Sequence, residues 1–543
     1  MPHAIGNGYK TCLDAILARK PELKNFNVEV HKRQLQEFSK LDYNQLDIAR
    51  ERLRAIHIER WHDWERTSVS QAQMQRLKKE VTKKRLHLPI RKLLNDSQKG
   101  IPNLAQFLKP CWMMSPLSVS QYIDPDVLKF DVLIFDEASQ LRTEDVVPSI
   151  IRSSQVIVIG DRKQLPPTSF FSSGESEKDD ELDDENYESV LDECSNFMFG
   201  RTLRWHYRSQ DERLISFSNL HFYSSELVTF PNPIQNPDLG VWFKHVPDGI
   251  YDRGKRRDNR REAEIVAQLA LLHIQKTPDQ SLGIIAFSEA QADAIQEQIE
   301  ILGKQYPVLE SFCRDNSPQF FLKALENVQG DERDVILLSI GYARDADGKL
   351  SLNFGPLNKK GGERRLNVAI TRAKRKITLI SSILAGDIDL TGTKSEGIRV
   401  LRDYLEYAAS GGELLQGPSY VEKLNFDSPF EADVYHTLMN HSLLSKEYIL
   451  RTQVGCSGYR IDLGVACKNL PGSFLLGIEC DGASYHSSPT ARDRDRLRQQ
   501  VLEKLGWNIY RIWSTDWFRN KPEQVRLVVE KIEQLKLEHS RLD

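Results

Sequence analysis

The seven cysteines (12, 111, 194, 313, 456, 467 and 480) include no C-x-x-C pair. Zinc sites and iron–sulfur clusters are built on clustered thiols, so neither is expected, and free thiols fit a reducing, cytoplasmic setting. No apolar run reaches the length of a membrane-crossing helix, and neither a signal peptide nor a membrane partner is expected. An excess of one charge is missing too: 74 Lys and Arg stand against 77 Asp and Glu, for a net charge of −3 and a pI near 6.5. Whole-chain charge therefore does not mark a nucleic-acid binder, and any basic track has to be local. What is present is 543 residues, 40% hydrophobic and 28% charged, with a mean hydropathy of −0.48. That length and composition suit a soluble surface and about three or four domains.

The most informative stretch is Val132-Leu133-Ile134-Phe135-Asp136-Glu137-Ala138-Ser139-Gln140. A continuous apolar run reads as a strand covered on both faces. It stops at two adjacent carboxylates, where open α/β sheets bind ligands and where hard oxygen donors suit Mg²⁺ with a nucleotide. One Asp-Glu pair alone is more often an ordinary acidic turn. Four further stations follow in order, however. They are Gly160-Asp161-Arg162-Lys163-Gln164-Leu165-Pro166-Pro167 after a second apolar run, Trp205-His206-Tyr207-Arg208-Ser209, Gln329-Gly330-Asp331-Glu332-Arg333-Asp334, and Asn367-Val368-Ala369-Ile370-Thr371-Arg372-Ala373.

With these five in order the chain resembles a superfamily 1 helicase of the Upf1-like branch over about residues 100–390. The resemblance implies a role for each site residue. Asp136 would hold Mg²⁺ through water, and Glu137 would polarise the attacking water as general base. Gln164 would sense the γ-phosphate of ATP. Arg208 and Arg372 would neutralise charge developing on the transferred phosphoryl group. Gly330 and Glu332 would face the nucleotide across a cleft, and Tyr207 would stack near the base. Such helicases also carry a G-x-x-x-x-G-K-[ST] loop that cradles the phosphates, and this sequence has none. Gly6-Asn7-Gly8-Tyr9-Lys10-Thr11 has the wrong spacing and no apolar strand ahead of it. The expectation is the carboxyl-terminal part of a longer helicase, with ATP hydrolysis dependent on an amino-terminal portion or subunit carrying that loop.

The tail has a different character. Ser428-Pro429-Phe430-Glu431 opens a helix, with Pro in its first turn and acid where the macrodipole favours it. Two strand-like runs follow, one carrying Ile461-Asp462-Leu463 and one ending Ile478-Glu479-Cys480-Asp481-Gly482, before Tyr485-His486. These acids either converge on one divalent cation or are unrelated strand-end acids, and spacing leaves both open. The stretch resembles a PD-(D/E)XK nuclease of the very-short-patch-repair kind over about 426–520. The basic run Arg492-Asp493-Arg494-Asp495-Arg496 and the closing segment from Trp507 to Trp513 also match. The resemblance implies Asp462 and Glu479 as ligands of Mg²⁺ or Mn²⁺, with Glu431 and Asp481 near or in the shell. His486 would be an acid/base or phosphate contact. Asp481 stands where the wider superfamily usually has lysine, which leaves the group that positions the attacking water open.

The fold class expected is α/β, with two RecA-like lobes, the first incomplete and preceded by a helical arm, and then a small restriction-endonuclease-like α/β domain. The expected boundaries are 1–100 for the arm, 101–197 and 198–390 for the lobes, 391–425 for a linker and 426–543 for the nuclease-like domain. In the arm, Leu46, Ile48, Leu53, Ile56, Ile58 and Trp61 suggest an amphipathic helix, Trp64 extends it, and the span 76–99 is strongly basic. The segment 110–117 is expected as a strand and loop, and the acidic span 174–188 as an insertion. The expected substrate is DNA with a single-stranded region, cut by the tethered domain in genome defence or repair. An RNA-directed helicase with a merely binding tail, and a non-catalytic scaffold, are the alternatives.

Overall fold

The computed structural model describes residues 28–167, 188–233, 238–314, 317–412, 424–455, 459–469, 473–481 and 497–539, with 11, 15, 18 and 19 besides. The chain divides into a larger unit, 52–227 with 238–418, and a smaller one, 1–51, 228–237 and 419–543. Among the described residues no helix is long and apolar enough to cross a membrane.

The charged amino-terminal region, poor in Gly and Pro, forms the long helix α1 (Val28–Glu65) and then α2 (Ser68–Thr82), which Thr67 caps by accepting from Ser70 N. Trp61 and Trp64 pack on Phe107 of α3 (Pro102–Leu108), the latter with ring centroids 4.7 Å apart. Leu46, Ile48, Leu53, Ile56 and Ile58 are exposed instead of core-facing. Their spacing wraps around the helix, so no single stripe can bury them together.

Strand β1 (Phe130–Phe135) pairs in parallel with β2 (Ser153–Val158), and α4 (Thr143–Ile150) lies in the connection between them. The expectation of a strand covered on both faces is not met here: Val132 is 43% and Ile134 57% exposed. Val132 and Ile134 are two residues apart and so share one face of the strand, and that face is open. The expected strand at 110–117 is absent as well. Residues 109–115 are irregular, and Pro116 begins a short helix capped by Ser115.

The second sheet is parallel, in the order β3-β7-β6-β4-β5. Its strands are β3 (Gly240–His245), β4 (Leu282–Ala286), β5 (Phe320–Ala324), β6 (Arg333–Ser339) and β7 (Ala373–Ser381). Helices α5 (Arg213–Phe222), α6 (Arg260–Lys276), α7 (Glu289–Gly303), α8 (Gly362–Ile370) and α9 (Glu396–Ala409) accompany it. Successive strand residues point to opposite faces. Ile336 and Leu338 of β6 pack with Phe217, Leu366 and Leu401, whereas Val335 and Leu337 pack with Val266, Ala270 and Ile295. Both faces are covered, which is why these strands are apolar throughout.

In the smaller unit a mixed sheet runs β11-β10-β9-β8. Strands β8 (Tyr448–Val454), β9 (Ile461–Cys467) and β10 (Phe474–Asp481) are antiparallel neighbours, and β11 (Ile509–Trp513) is parallel to β10. Helices α10 (Pro429–Met439) and α12 (Lys521–His539) cover one face, with α11 (Arg498–Lys504) ahead of β11. Val434, Leu438, Val528 and Ile532 meet Leu463, Leu476, Ile478 and Ile512 in the core.

In the larger unit, one buried carboxylate ties together the carboxyl ends of β6 and β7. Glu262 of α6 is fully buried. It accepts from Gly341 N at 2.7 Å, Ser339 Oγ at 2.9 Å, Ser382 Oγ at 3.0 Å and Asn259 Nδ2 at 3.4 Å. Burial outweighs these donors and pushes its pKa up from 4.5 to about 7. The folded state therefore keeps a proton that the unfolded chain has released, so this contribution is full below the unfolded pKa and falls as pH rises to the folded one. Glu262→Gln should remove the dependence: between about pH 4.5 and about 7 the variant gains stability relative to wild type, and it gains no more above that. Denaturant unfolding of both proteins across that range checks it.

Candidate active sites

In the larger unit the carboxyl ends of β1 and β2 carry the acids of the first two stations. Asp136 is exposed at the end of β1, and its Oδ1 accepts from Glu137 N at 3.0 Å. Glu137 itself is left-handed, with φ 52° and ψ 40°. That conformation is costly for a residue with a Cβ and collects at functional positions. Ala138 N donates to Ile159 O and Ile159 N to Phe135 O, each at 2.8 Å, so the two strand ends close on each other. A side chain at Gly160 would crowd the Ser139 and Ala138 nitrogens at 3.0 and 3.1 Å.

The second-lobe residues arrive from the opposite strand ends. Gly330 makes a turn with φ +84° ahead of β6, followed by Glu332, and Arg372 directly precedes β7. Arg208 Nε lies 3.1 Å and Lys374 Nζ 2.7 Å from Glu332. These cations hold the Glu332 carboxyl below its usual range, the Lys374 hydrogen bond contributing most. Arg372 is buried, with Nε donating to Val368 O at 2.8 Å and Nη2 to Thr371 Oγ1 at 3.1 Å. Burial lowers its pKa and the Arg208 charge adds to that, while Glu137, Tyr223 and Glu332 oppose it. Glu137, Arg208, Glu332 and Arg372 thus share one electrostatic neighbourhood. Tyr207 is 72% exposed.

Gln164 Nε2 donates to Asp161 Oδ2 at 3.0 Å. The same oxygen accepts from Tyr223 OH at 2.7 Å, and Asn367 Nδ2 donates both to Tyr223 OH at 3.1 Å and to Lys163 O at 2.9 Å. Burial and the Asp161 charge raise the Tyr223 pKa, so the phenol stays a donor. Sequence reasoning passed over Tyr223, which ends α5 in no recognisable motif. Ser139 Oγ, Gln164 Oε1, Gln329 Nε2 and Asn367 Oδ1 are buried without a hydrogen-bond partner. All four lie in the motif segments. Buried orphan polar atoms are rare in native proteins, and those within the motif segments fit a polar ligand such as a nucleotide phosphate.

In the smaller unit the strand register draws a row of polar groups across the sheet. Thr452↔Leu463 and Ile478↔Leu463 set Gln453 opposite Asp462 and Asp462 opposite Glu479, and Glu479↔Arg511 completes the row. Asp462 Oδ2 accepts from Cys480 N at 2.7 Å. Burial, with Glu431, Glu479 and Asp481 adding like charge, pushes the Asp462 pKa up from 3.8 to about 7. Glu479 accepts a hydrogen bond from Tyr459 OH on Oε1, and Arg511 Nε stands 3.2 Å from its Oε2 and 3.8 Å from Asp481. Glu431 accepts from Ser428 Oγ at 2.7 Å, Gln453 Nε2 at 2.8 Å and Asp427 N at 3.0 Å.

The four acids therefore come near one another, as their shared influence on Asp462 requires. Yet among the described residues no three His, Cys, Asp or Glu side chains are disposed to hold a metal ion. Glu431 is turned to its helix cap and Glu479 to a phenol and a guanidinium, so a divalent cation does not fit this arrangement. His486 and the basic run at 492–496 lie outside the described residues. Tyr459 and Arg511 carried no assigned role from sequence although each sits within or beside a quoted strand, and Gln453 lies on β8, which the sequence reading did not mark.

The Asp161–Tyr223–Asn367 bridge makes a direct prediction. Tyr223→Phe should cost about 1–2 kcal/mol of unfolding stability by stripping two hydrogen bonds. A double-mutant cycle with Asn367→Ala should give a coupling near 1 kcal/mol; additive losses in denaturant unfolding would remove the bridge from the account.

Comparison with known proteins agrees with this geometry. AAA domain models match residues 10–172 and 188–383, and the REase_MTES_1575 model matches 430–532. An ATP-dependent helicase of Mycoplasma pneumoniae is 32% identical over 411 residues, covering 72% of this chain and 36% of that protein. Its counterpart in Mycoplasma genitalium is 33% identical over 414 residues, with the same coverage. The DNA replication ATP-dependent helicase/nuclease of Schizosaccharomyces pombe is 24% identical over 284 residues, covering 47% of this chain and 19% of that one. The chain spans about a third of the length of the curated helicases it matches first, 36%. It belongs to the Upf1-like superfamily 1 helicases and carries a restriction-endonuclease-like domain toward its carboxyl end.

Proposed function

We propose that this chain is the motor portion of an ATP-driven DNA helicase or translocase whose restriction-endonuclease-like domain cuts the DNA delivered to it. The observation that carries the motor reading is the grouping of Glu137, Arg208, Glu332 and Arg372 in one electrostatic neighbourhood. Mg²⁺-ATP, when bound, supplies the phosphoryl group and a hard cation. Asp136 is the exposed carboxylate that would hold that cation, and Glu137 would orient the attacking water. Arg208 and Arg372 present positive charge from the second lobe, with Glu332 keeping Arg208 in place. Gln164 reports on the phosphate through Asp161, Tyr223 and Asn367, which join the two lobes. No G-x-x-x-x-G-K-[ST] loop occurs in these 543 residues, and the matched helicases are longer than this chain.

For the smaller domain the support is the family likeness over 430–532 and the nearness of Glu431, Glu479 and Asp481 to Asp462. Tethering to a motor raises the local concentration of such a nuclease at the strand without new contacts. Genome defence or DNA repair is the setting this pairing suits. A non-catalytic scaffold is the second reading, favoured by the missing phosphate loop and by carboxylates turned to protein donors.

Labelled single- and double-stranded DNA, and RNA of the same sequence, separate these readings when incubated with Mg²⁺ or Mn²⁺ and either wild type or Asp462→Ala. Metal-dependent cutting of DNA, with a loss on the order of a hundredfold in the variant, would support the nuclease reading. Binding without cutting by either protein overturns the nuclease assignment and leaves the scaffold.

A further inference from the structure

We propose that Leu86 is an apolar wedge for the end of a DNA duplex, carried on a basic loop between α2 and the short helix Ile90–Asn95. The proposal takes its occupant from the reading of the chain as a DNA motor, and it adds an element that opens base pairs.

Both stems of this loop are anchored. Gln73 of α2 donates through Nε2 to Asn103 Oδ1 at 2.9 Å and accepts from Leu104 N at 2.9 Å. Arg76 Nη1 donates to Ser97 O at 2.8 Å and to Gly100 O at 3.1 Å. Leu94 of the short helix is buried with Ile123 and Leu128. Residues 83–89 form the turn between these fixed points. Within the turn Glu80 accepts from Leu88 N and from Lys83 Nζ, each at 2.5 Å. That acid shapes the loop, and its charge is spent in doing so.

The tip gains nothing from the fold. Leu86 is 94% exposed, and its φ of +57° lies in the left-handed region that a bulky side chain adopts only under strain. Val81 and Ile90, at the two ends of the loop, are exposed as well. Lys78, Lys79, Lys84, Arg85, Arg91 and Lys92 are also exposed, and none of the six has an ion-pair partner among the described residues. On a chain that is nearly neutral overall, such a run is a local complement to a polyanion. DNA meets both demands at once. Its phosphates match the cations, and an apolar side chain can enter a base step and unstack it. An anionic bilayer fits less well, since interfacial binding calls for a broad apolar face and this loop presents one fully projecting leucine.

The test uses the full chain, without ATP or added metal, and a forked DNA carrying 2-aminopurine in the base pair next to the fork. The fluorescence of that base rises when it unstacks, and wild type should bind the fork and raise it. Leu86→Gly should bind the fork about tenfold more weakly and leave the signal near that of free DNA. Because glycine accepts the left-handed backbone, the same variant should unfold at a temperature no lower than wild type, which a merely structural leucine would not allow. Leu86→Met keeps an apolar tip and should behave as wild type. Lys84→Gln together with Arg85→Gln should weaken fork and single strand alike and lower the salt slope of binding by about two. Equal fork affinity and equal signal in wild type and Leu86→Gly overturn the wedge and leave the motor reading standing. Failure of wild type to bind any DNA overturns both. Binding to vesicles of phosphatidylserine and phosphatidylcholine that Leu86→Gly weakens, with no signal from the fork, overturns the choice of DNA in favour of a membrane surface.

Discussion

Charge cannot run along a sheet that is covered on both faces, because an unpaired buried ion costs far more than packing returns. It collects where strands begin and end, or it is paired across the strands. Much of the chemistry of this protein follows from that constraint. In the larger unit Asp136, Glu137 and Asp161 follow the carboxyl ends of β1 and β2, whereas Glu332 and Arg372 precede β6 and β7. Acids from one lobe thereby meet cations from the other. At the far ends of β6 and β7 a carboxylate that is truly buried, Glu262, is surrounded by donors and still resists ionisation.

The two lobes are also joined by hydrogen bonds that belong to neither alone. Asp161 takes donors from Gln164 and Tyr223, and Asn367 reaches both Tyr223 and the Lys163 carbonyl. Such a chain makes the orientation of Gln164 depend on a helix of the second lobe. Left-handed Glu137 stands at one side of this joint and orphaned polar atoms line it. Strain and unmet hydrogen bonds in one place suit a site that a ligand completes.

The smaller unit solves the same problem by pairing. Asp462, Glu479 and Arg511 sit within strands instead of at their tips, so each needs a partner, and the register supplies one. The cost is that the acids are spoken for. A restriction-endonuclease-like sheet can therefore carry acids that are engaged by protein donors, as Glu479 is by the Tyr459 phenol and the Arg511 guanidinium.

Much of this was legible in the residues. Covered parallel strands are continuously apolar, so 282–287 and 335–338 could be placed as β4 and β6, and Ser428 ahead of Pro429 marked the start of α10. The five ordered motifs carried the family, since their spacing is set by the backbone turns they occupy. Local pattern failed where burial depends on distant chain. The run 132–135 reads as a covered strand, yet the face of β1 that carries Val132 and Ile134 is open. The apolar positions of α1 were visible but not that they point in all directions. Tyr223 and Tyr459 had no local signal at all, since a tyrosine acquires a role only from what packs against it. The sequence by itself determined which residues carry charge and where strands must end, because both are local properties. Tertiary structure decided which of those charges are paired and which are left for a ligand, because pairing depends on register and on contacts between segments far apart in the chain.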